Sequence, residues 1–396
     1  MKSEWRIKKL SEIADFNPRE SLPKGALAKK VGMDRLQPFC RDIPSYEMET
    51  YSGGTKFRNG DTIMARITPC LENGKIAKVD ILEENEIGFG STEYIVFRAK
   101  EDVDEDFLYY LVCSSIVREP AIKSMVGSSG RQRVQTDVVQ NLEIAVPTYE
   151  EQRLIGGVLK NLDDKIKINN KINENLLEQA LAIYKAWFCD YALSEGTLPE
   201  DWHITTIDEI SSLISRGIAP KYDDNSEQIV LNQKCIRDHT IDISLARRHL
   251  PKKINEKWIK KGDLLINSTG TGTLGRVAQV WFDANNMTVD SHVTIVRPKD
   301  SILQNYIGFW GLSHESEIEA QHTGSTGQTE LPRDRVKSMK LPLPDEDTLR
   351  KFNGLIMPMT SAVVSNQEEN TRLSLLRDSL LSKLLSGEID VSAINL

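Results

Sequence analysis

Residues 125–147 read MVGSSGRQRVQTDVVQNLEIAVP, and residues 322–344 read HTGSTGQTELPRDRVKSMKLPLP. The two stretches lie 197 positions apart, and each leads from a turn of small residues through a polar segment to an apolar run that ends at a proline. The same offset separates the opening Trp5-Arg6-Ile7 from Trp202-His203-Ile204. A similarity that recurs at half the chain length predicts two copies of one fold in a single polypeptide.

The segments between these anchors share a framework and differ in their loops. FRNGDTIMARI at 57–67 matches IKKGDLLINST at 259–269, and STEYIVFRAKE at 91–101 matches DSHVTIVRPKD at 290–300. Alternating β-branched runs bounded by Gly, Asn and Asp indicate strands. The apolar runs FLYYLVCSS and YIGFWGLS, which begin at Phe107 and Tyr306, are long enough for helices. Together these patterns predict an α+β fold class with similar frameworks and dissimilar surface loops.

Each repeat ends in a long helical segment that begins after a proline, Pro147 or Pro344, with acidic residues in its first turn. Apolar residues then recur at alternating steps of four and three, which is the coiled-coil period. The first stripe begins at Ile155, and the second begins 197 positions later at Phe352, with Arg377 as its exception. These features divide the chain into four segments. In order they are a globular segment at 1–146, a long helix at 147–192, a globular segment at 193–342 and a long helix at 343–396.

Two asparagines interrupt each stripe at its midpoint: Asn169 and Asn173 in the first, Asn366 and Asn370 in the second. A buried Asn fixes helix register, because an apolar partner would leave its amide unsatisfied. Parallel and antiparallel pairing would both match Asn with Asn. A two-fold relation between the repeats favours the antiparallel arrangement, in which Asn169 meets Asn370 and Asn173 meets Asn366. The alternative is that each amphipathic helix packs on its own domain.

The composition is that of an ordinary globular protein. The 396 residues include 50 Lys and Arg against 58 Asp and Glu, and 39% are apolar. No run of about 18 apolar residues occurs, so we expect no membrane segment and a cytoplasmic location. Five scattered cysteines without a CxxC pair and six histidines without HExxH spacing predict neither a disulfide framework nor a metal site.

Motifs that would indicate catalysis fail on their context. GTGTLG, which contains Gly270, Gly272 and Gly275, satisfies GxGxxG, but the strand-like RVAQVWF follows it where a dinucleotide site needs a helix. The pattern therefore predicts a glycine-rich hairpin loop. The sequence has no GxxxxGK[ST] phosphate loop and no [DNS]PP[YF] segment of an amino-methyltransferase. We assign a catalytic role to no residue.

Two polar segments have both a binding and a structural interpretation. The loop SSGRQRVQ at 128–135 presents Arg131, Gln132 and Arg133, which can contact phosphates or base edges, or can form a turn before the long helix. A basic cluster within 247–261 can contact phosphates or form an ordinary solvated face.

The sequence resembles the specificity subunits of type I restriction-modification systems over nearly its whole length. The resemblance rests on the half-length repeat, the two Trp openings, the GD-x-[IL] strands, the VPTYEEQRLI stretch at 146–155 and the ending LLSGEI at 384–389. The family typically has a P-x-x-E-Q motif where the first long helix begins. The second repeat reads PDEDTLR at 344–350, a departure that leaves the expected fold unchanged.

This resemblance implies two mixed α/β target recognition domains joined by an antiparallel coiled coil with pseudo-two-fold symmetry. Each domain would read one half of a split, asymmetric site in double-stranded DNA. The helices would set the spacer and dock two methyltransferase subunits. Those subunits would bring S-adenosylmethionine, and restriction or translocase subunits would bring ATP and Mg. The chain itself would hold no cofactor and catalyse no reaction.

Base-reading residues vary within this family, so motif matches do not assign them. We select polar side chains of the divergent loops, because Arg can contact guanine bidentately and Asn or Gln can contact adenine. The candidates in the first repeat are Arg66, Thr68, Asn73, Lys75, Arg131, Gln132 and Arg133. The candidates in the second repeat are Ser268, Thr269, Thr271, Thr273 and Gln328.

Two other interpretations of the chain stay open. A specificity component of a related type IIB-like methyltransferase or nuclease would have the same fold and different partners. A protein-only coiled-coil scaffold would have no salt-dependent affinity for DNA.

Overall fold

The computed structural model describes residues 5–128, 130–250, 254–324 and 329–391. The chain forms two compact units. Unit 1 combines Met1–Asn169 with Glu369–Leu396, and unit 2 is Asn170–Glu368. Each unit therefore contains one globular segment and half of each long helix. This division cuts across the four segments expected from the sequence, because the helices pack on the globular parts as well as on each other.

Unit 1 contains ten strands among its described residues. They are β1 (Arg6–Lys9), β2 (Ala14–Phe16), β3 (Leu27–Val31), β4 (Glu47–Thr50), β5 (Thr55–Phe57), β6 (Thr62–Ala65), β7 (Ile76–Lys78), β8 (Gly88–Gly90), β9 (Tyr94–Ala99) and β10 (Glu143–Val146). One antiparallel sheet has the order β2-β9-β6-β7, and a second sheet has the order β4-β3-β8-β5, in which β3 and β8 are parallel. β1 pairs antiparallel with β10.

The helices of unit 1 begin with α1 (Leu10–Ile13), α2 (Glu105–Cys113), α3 (Ser115–Lys123) and α4 (Thr136–Gln140). The first long helix, α5 (Tyr149–Phe188), starts two residues after Pro147 and continues into unit 2. Thr148 and Glu151 form reciprocal hydrogen bonds between side chain and backbone at this start. This capping box satisfies amides that have no intrahelical partner.

Unit 2 contains eleven strands among its described residues. They are β11 (His203–Thr206), β12 (Ser211–Arg216), β13 (Ile229–Leu231), β14 (Ile236–Arg237), β15 (Thr240–Ile241), β16 (Arg247–Arg248), β17 (Leu264–Asn267), β18 (Val277–Gln279), β19 (Met287–Val289), β20 (Val293–Pro298) and β21 (Lys340–Leu343). Its helices are α6 (Ile207–Ile210), α7 (Gln304–Ser313), α8 (Glu315–Ala320), α9 (Arg333–Lys337) and the second long helix α10 (Glu346–Leu385), which ends in unit 1.

The two units repeat one framework, as the sequence predicts. The sheet β12-β20-β17-β18 has the order of β2-β9-β6-β7, and β11 pairs with β21 as β1 pairs with β10. Both faces of the four-stranded sheet are covered. In unit 1, Met64 and Ile95 face a core shared with the long helices, whereas Ile63 and Val96 face a second core. Strands buried on both faces read as continuous apolar runs, which explains TIMA and LLIN.

The GD marker of each repeat holds the central sheet together. Asp61 accepts two hydrogen bonds of 2.7 Å from the guanidinium of Arg98. In unit 2, Asp263 accepts the same pair from Arg297, at 2.9 and 2.7 Å. The glycines before these aspartates have φ angles of 89° and 92°, a region that disfavours other residues. The marker therefore places a buried carboxylate where a strand of the same sheet supplies its counter-ion.

The long helices run antiparallel within each unit. In unit 1, Nδ2 of Asn169 donates to Oδ1 of Asn370 over 2.9 Å. In unit 2, Nδ2 of Asn366 donates to Oδ1 of Asn173 over 2.8 Å. The antiparallel arrangement predicted from the midpoint asparagines is confirmed. Independent packing of each helix on its own domain is wrong.

In unit 2, α5 has aromatic residues that the heptad count did not select. Tyr184 and Phe188 are buried, and each lies one position after a residue of the predicted stripe. The ring of Phe188 lies 5.0 Å from that of Tyr306 on α7 and 4.9 Å from that of Phe352 on α10. The helix therefore has one apolar face for its partner helix and another for its domain.

The glycine-rich segment is a hairpin loop, as predicted. It connects β17 to β18, which pair antiparallel. Gly270 and Gly275 have φ angles of 102° and 84°, and the amide of Leu274 donates to the carbonyl of Gly270. The strand after the loop leaves no helix N-terminus to face a dinucleotide phosphate.

Candidate nucleic-acid interface

In unit 1, the loop after α3 folds against the end of β6. Val126 and Arg133 exchange two backbone hydrogen bonds, at 3.0 and 2.9 Å, and Arg133 also forms a bridge with Ile67. The amide of Val134 donates to the carbonyl of Arg66 over 2.9 Å. We call this contact the first junction. It brings Arg66, Arg133 and their neighbours together from parts of the chain more than sixty residues apart.

A carboxylate that the sequence analysis missed organises the charges of the first junction. Glu93 accepts hydrogen bonds from Nε and Nη2 of Arg133, at 3.0 and 2.7 Å. Nε of Arg66 lies 4.0 Å from the same carboxylate. The Arg133 guanidinium holds the pKa of Glu93 below its ordinary value. Since the Arg133 side chain remains 45% exposed, Glu93 orients the guanidinium without burying it.

The other candidates of the first repeat lie around this pair, and they differ in whether their side chains are hydrogen-bonded to the protein or exposed. Thr68 donates to Glu72 over 2.9 Å, and its backbone amide donates to the carbonyl of Gln132. Nζ of Lys75 donates to the carbonyl of Met33 over 2.7 Å, which ties this side chain to the protein. Two candidates are exposed at the surface of the unit. They are Asn73 and Arg131.

Unit 2 has the same backbone hydrogen bonds at the equivalent positions, with different side chains. Thr323 and Glu330 exchange backbone hydrogen bonds of 2.8 and 2.9 Å, Glu330 bridges Thr269, and the amide of Leu331 donates to the carbonyl of Ser268. We call this the second junction. Each of these residues is the repeat counterpart of one in the first junction. The charged side chain at the centre is acidic in unit 2 and basic in unit 1.

Polar side chains of the second junction form a hydrogen-bonded group. Nε2 of Gln233 donates to Oγ1 of Thr269 over 2.5 Å, and Nδ1 of His292 lies 2.8 Å from the same oxygen. Thr273 donates to Oε1 of Gln233 over 3.4 Å. Glu330 forms an ion pair of 2.7 Å with Arg216. His292 and Glu330 are exposed, so the group has an open polar surface.

One candidate of the second repeat is wrong. Ser268 is fully buried, and its hydroxyl lies 2.6 Å from that of Thr294 inside the unit. It continues the inward face of β17 after Leu264 and Ile266, so its side chain points into the core. Thr271, by contrast, is exposed at the tip of the hairpin. Gln328 lies outside the described residues.

Several polar residues of the junctions were missing from the sequence analysis, among them Glu93, His292, Gln233 and Glu330. Glu93 and His292 occupy equivalent positions in the aligned STEYIVF and DSHVTIV segments, so the repeat itself contained a signal for them. Gln233 begins a short 3-10 helix, Gln233–Cys235, that follows β13. Its position depends on tertiary contacts, because the side-chain amide of Asn267 donates to its backbone carbonyl over 3.1 Å.

The basic cluster of unit 2 is partly used for internal contacts. The Arg247 guanidinium lies 3.4 Å from the ring centroid of Tyr222, and Arg248 donates to the carbonyl of Ser226. Nζ of Lys257 donates to the carbonyl of Gly217. Lys260 and Lys261 are exposed, while Lys252 and Lys253 lie outside the described residues. Arg247, Arg248 and Lys257 therefore make contacts within the unit, as the structural interpretation of the cluster predicts.

Within the described ranges, no group of three or more His, Cys, Asp or Glu side chains could hold a metal ion. No helix in that part of the chain is both long and apolar enough to cross a bilayer.

The model of the type I restriction modification DNA specificity domain matches residues 2–178 and 199–352. The chain belongs to this family of specificity subunits. The two matched segments correspond to the two repeats, so the framework of each unit is that of the specificity domain. The family that the sequence resembles in its repeat and its Trp openings is therefore confirmed.

Curated specificity subunits resemble the chain over most of its length. The type I restriction enzyme MjaIX specificity subunit of Methanocaldococcus jannaschii is 26% identical over 99% of this chain and 95% of that protein. The HindI specificity subunit of Haemophilus influenzae is 21% identical over 84% of this chain and 87% of that protein. The crystal structure of the type I restriction-modification S subunit from M. genitalium has the same fold, with a TM-score of 0.54, 16% identity and 96% coverage of both chains.

Proposed function

We propose that this specificity subunit reads a split, asymmetric DNA site, with one half recognised by residues 1–146 and the other by residues 193–342. The observation that carries the proposal is the pair of junctions. Their backbone hydrogen bonds are the same, whereas the side chains on them differ in charge and shape. Two similar platforms with different polar side chains suit two different half-sites.

The side chains at each junction match particular base edges. In the first, Arg66, Arg131 and Arg133 can contact guanine O6 and N7, while Thr68, Asn73, Lys75 and Gln132 add donors and acceptors. In the second junction, the proposed base-contacting residues are Gln233, His292, Thr269, Thr271 and Thr273. The buried Ser268 is not among them. Gln328 stays a candidate. The amide of Gln233 can contact adenine N6 and N7 once Thr269 and Thr273 hold its plane.

The long helices are the proposed spacer and docking platform for two methyltransferase subunits. Those subunits would supply S-adenosylmethionine and methylate adenine, and restriction or translocase subunits would supply ATP and Mg. The chain itself would bind double-stranded DNA in the cytoplasm, hold no cofactor and catalyse no reaction. This division of labour accounts for the junctions, whose exposed polar groups suit contacts with base edges and phosphates.

Salt-dependent DNA binding by the complex with its cognate methyltransferase tests the proposal. Affinity for a duplex containing the site should fall linearly with salt concentration on logarithmic axes, because phosphate contacts release counterions. An unrelated duplex should bind more weakly at each salt concentration. A complex that binds both duplexes equally would contradict sequence reading, and one with no affinity for DNA would favour the protein-only scaffold.

A further inference from the structure

Three polar side chains from three helices meet inside unit 1. Tyr110 of α2 donates its hydroxyl to Oδ2 of Asp163 on α5 over 2.6 Å. Nη1 of Arg377 on α10 donates to the other carboxylate oxygen of Asp163 over 2.7 Å. Asp163 and Arg377 are 6% and 12% exposed. We call this group the latch, because it connects the recognition domain to both long helices through one carboxylate.

A second set of ion pairs lies beside the latch along α5. Arg41, whose side chain is 6% exposed, pairs with Asp164. Lys167 donates to Asp42 and Asp80, over 2.9 and 2.8 Å. These contacts join a loop and a strand end of the recognition domain to the same stretch of helix. The domain of unit 1 is therefore attached to α5 through directional, charged contacts in addition to the apolar core that it shares with the long helices.

The three latch positions have no charged residue in unit 2. The counterpart of Tyr110 is Phe309, that of Asp163 is Thr360 and that of Arg377 is Ala180. The hydroxyl of Thr360 donates to the carbonyl of Ile356 on its own helix. In that unit aromatic rings lie where the domain contacts the helices, among them Phe309, whose ring centroid lies 6.2 Å from that of Phe352.

The comparison with unit 2 indicates that the fold does not require the latch. Unit 2 builds the same framework with all three latch positions replaced together, so the framework does not need them. Buried ion pairs are a weak source of stability, because desolvation offsets the attraction. What they can provide is a single geometry, since a carboxylate held between two donors loses a hydrogen bond when either donor moves. Apolar contacts between rings are non-directional by comparison.

We propose that Asp163 is a positioning residue that fixes the first recognition domain at one place on the helix pair, and thereby fixes the number of base pairs between the two half-sites. The inference rests on the proposed reading of a split site. The first domain reads its own bases through the junction. The latch determines where along the DNA those bases must lie relative to the other half.

Methylation sequencing of DNA from cells that express the chain with its cognate methyltransferase tests this inference. Tyr110→Phe removes one hydroxyl and leaves the volume and the Asp163–Arg377 pair in place. The triple variant Tyr110→Phe/Asp163→Thr/Arg377→Ala installs the residues of unit 2. In Tyr110→Phe, methylation at sites with a spacer one base pair longer or shorter should rise about tenfold relative to the normal spacer, as expected when one hydrogen bond to a charged group is lost. In the triple variant, which loses both bonds to Asp163, the rise should be at least as large. The bases read in each half should not change.

Thr360→Val is the matched control, because it removes the only polar atom at the equivalent latch position of unit 2. Its spacer distribution should equal that of the wild type. The inference is overturned if Tyr110→Phe keeps the wild-type spacer, whether the triple variant keeps it or loses all methylation, since a merely stabilising latch gives those results. If the wild type itself shows no split motif, the proposed function fails and the inference fails with it.

Discussion

Arg133 and Glu330 occupy the same backbone position in the two repeats and have opposite charges. Each exchanges two backbone hydrogen bonds with the residue seven positions earlier and bridges the strand end beside it. Each also has an ionic partner from its own unit, Glu93 for Arg133 and Arg216 for Glu330. The backbone contacts thus fix this position in both repeats, whereas the side chain there can differ. Two domains that recognise different DNA sequences require such a difference.

Arg133→Ala should relax recognition at one position of the half-site that residues 1–146 read. If the guanidinium contacts a base edge, the loss costs about 1–3 kcal/mol at that position and little elsewhere. Methylation sequencing of the complex measures this directly. Arg153→Ala, an equivalent change on the exposed start of α5, is the control and should leave the motif intact. Uniform weakening across all sequences would instead make Arg133 a phosphate contact.

Gln233→Leu should relax the other half-site. The substitution removes an amide that Thr269 and Thr273 orient, and keeps a similar side-chain length. We expect a loss of about 1–3 kcal/mol in discrimination at one base pair read by residues 193–342, and no change in the first half. An unchanged second half would remove Gln233 from the interface.

Glu93→Gln should weaken the fold of unit 1 in a pH-dependent way. The pKa of Glu93 is lowered by Arg133, so its ion pair stabilises the folded chain at neutral pH, and this contribution is lost as the pH falls below the ordinary value of 4.5 toward the folded pKa. Because Arg133 is half-exposed, the difference at pH 7 should be below about 1 kcal/mol. Urea unfolding at decreasing pH should show wild type and variant converging, and a constant difference would contradict the assignment.

Asn169→Leu should destabilise the helix pair by about 1–3 kcal/mol, because Asn370 would face an apolar side chain. The double variant Asn169→Leu/Asn370→Leu should recover stability and lose register specificity. Chemical denaturation compares the three proteins. A double variant as unstable as the single one would mean that the asparagine pair is not coupled.

Arg297→Met should destabilise unit 2 by about 3–5 kcal/mol, because it leaves the carboxylate of Asp263 buried without its counter-ion. Asp263 is only 1% exposed, so water cannot replace the guanidinium. Lys351→Met, which breaks an exposed pair within one helix, is the control and should leave stability nearly unchanged, because solvent screens that pair. Thermal unfolding of both variants separates the two costs, and equal costs would contradict a structural role for the GD marker.

The sequence predicted the repeated framework because local signals and periodicity agree there. The prolines before the long helices mark the helix starts without reference to distant contacts. Heptad counting matched asparagine with asparagine in either helix orientation, and the two-fold relation between the repeats then favoured the antiparallel pairing of Asn169 with Asn370. Tyr184 was missed because a heptad seam describes one face of a helix, whereas α5 also packs on its domain.

The interface was less predictable because its geometry depends on tertiary contacts. Arg133 and Glu93 lie forty positions apart, and no local pattern joins them. The partner of Arg377 was also hidden, because Asp163 lies beside the predicted stripe and not on it. Ser268 was selected wrongly because the sequence does not show that burial on both faces of β17 continues past Asn267.

Single-molecule methylation sequencing of DNA from cells with and without this chain, each expressing the cognate methyltransferase, tests the central claim most directly. The account predicts N6-methyladenine at a split motif only when both proteins are present. It also predicts that a replacement of residues 1–146 by those of another specificity subunit changes one half of the motif alone. Methylation at an undivided site, or methylation that is unchanged without the chain, would contradict recognition by two separate domains.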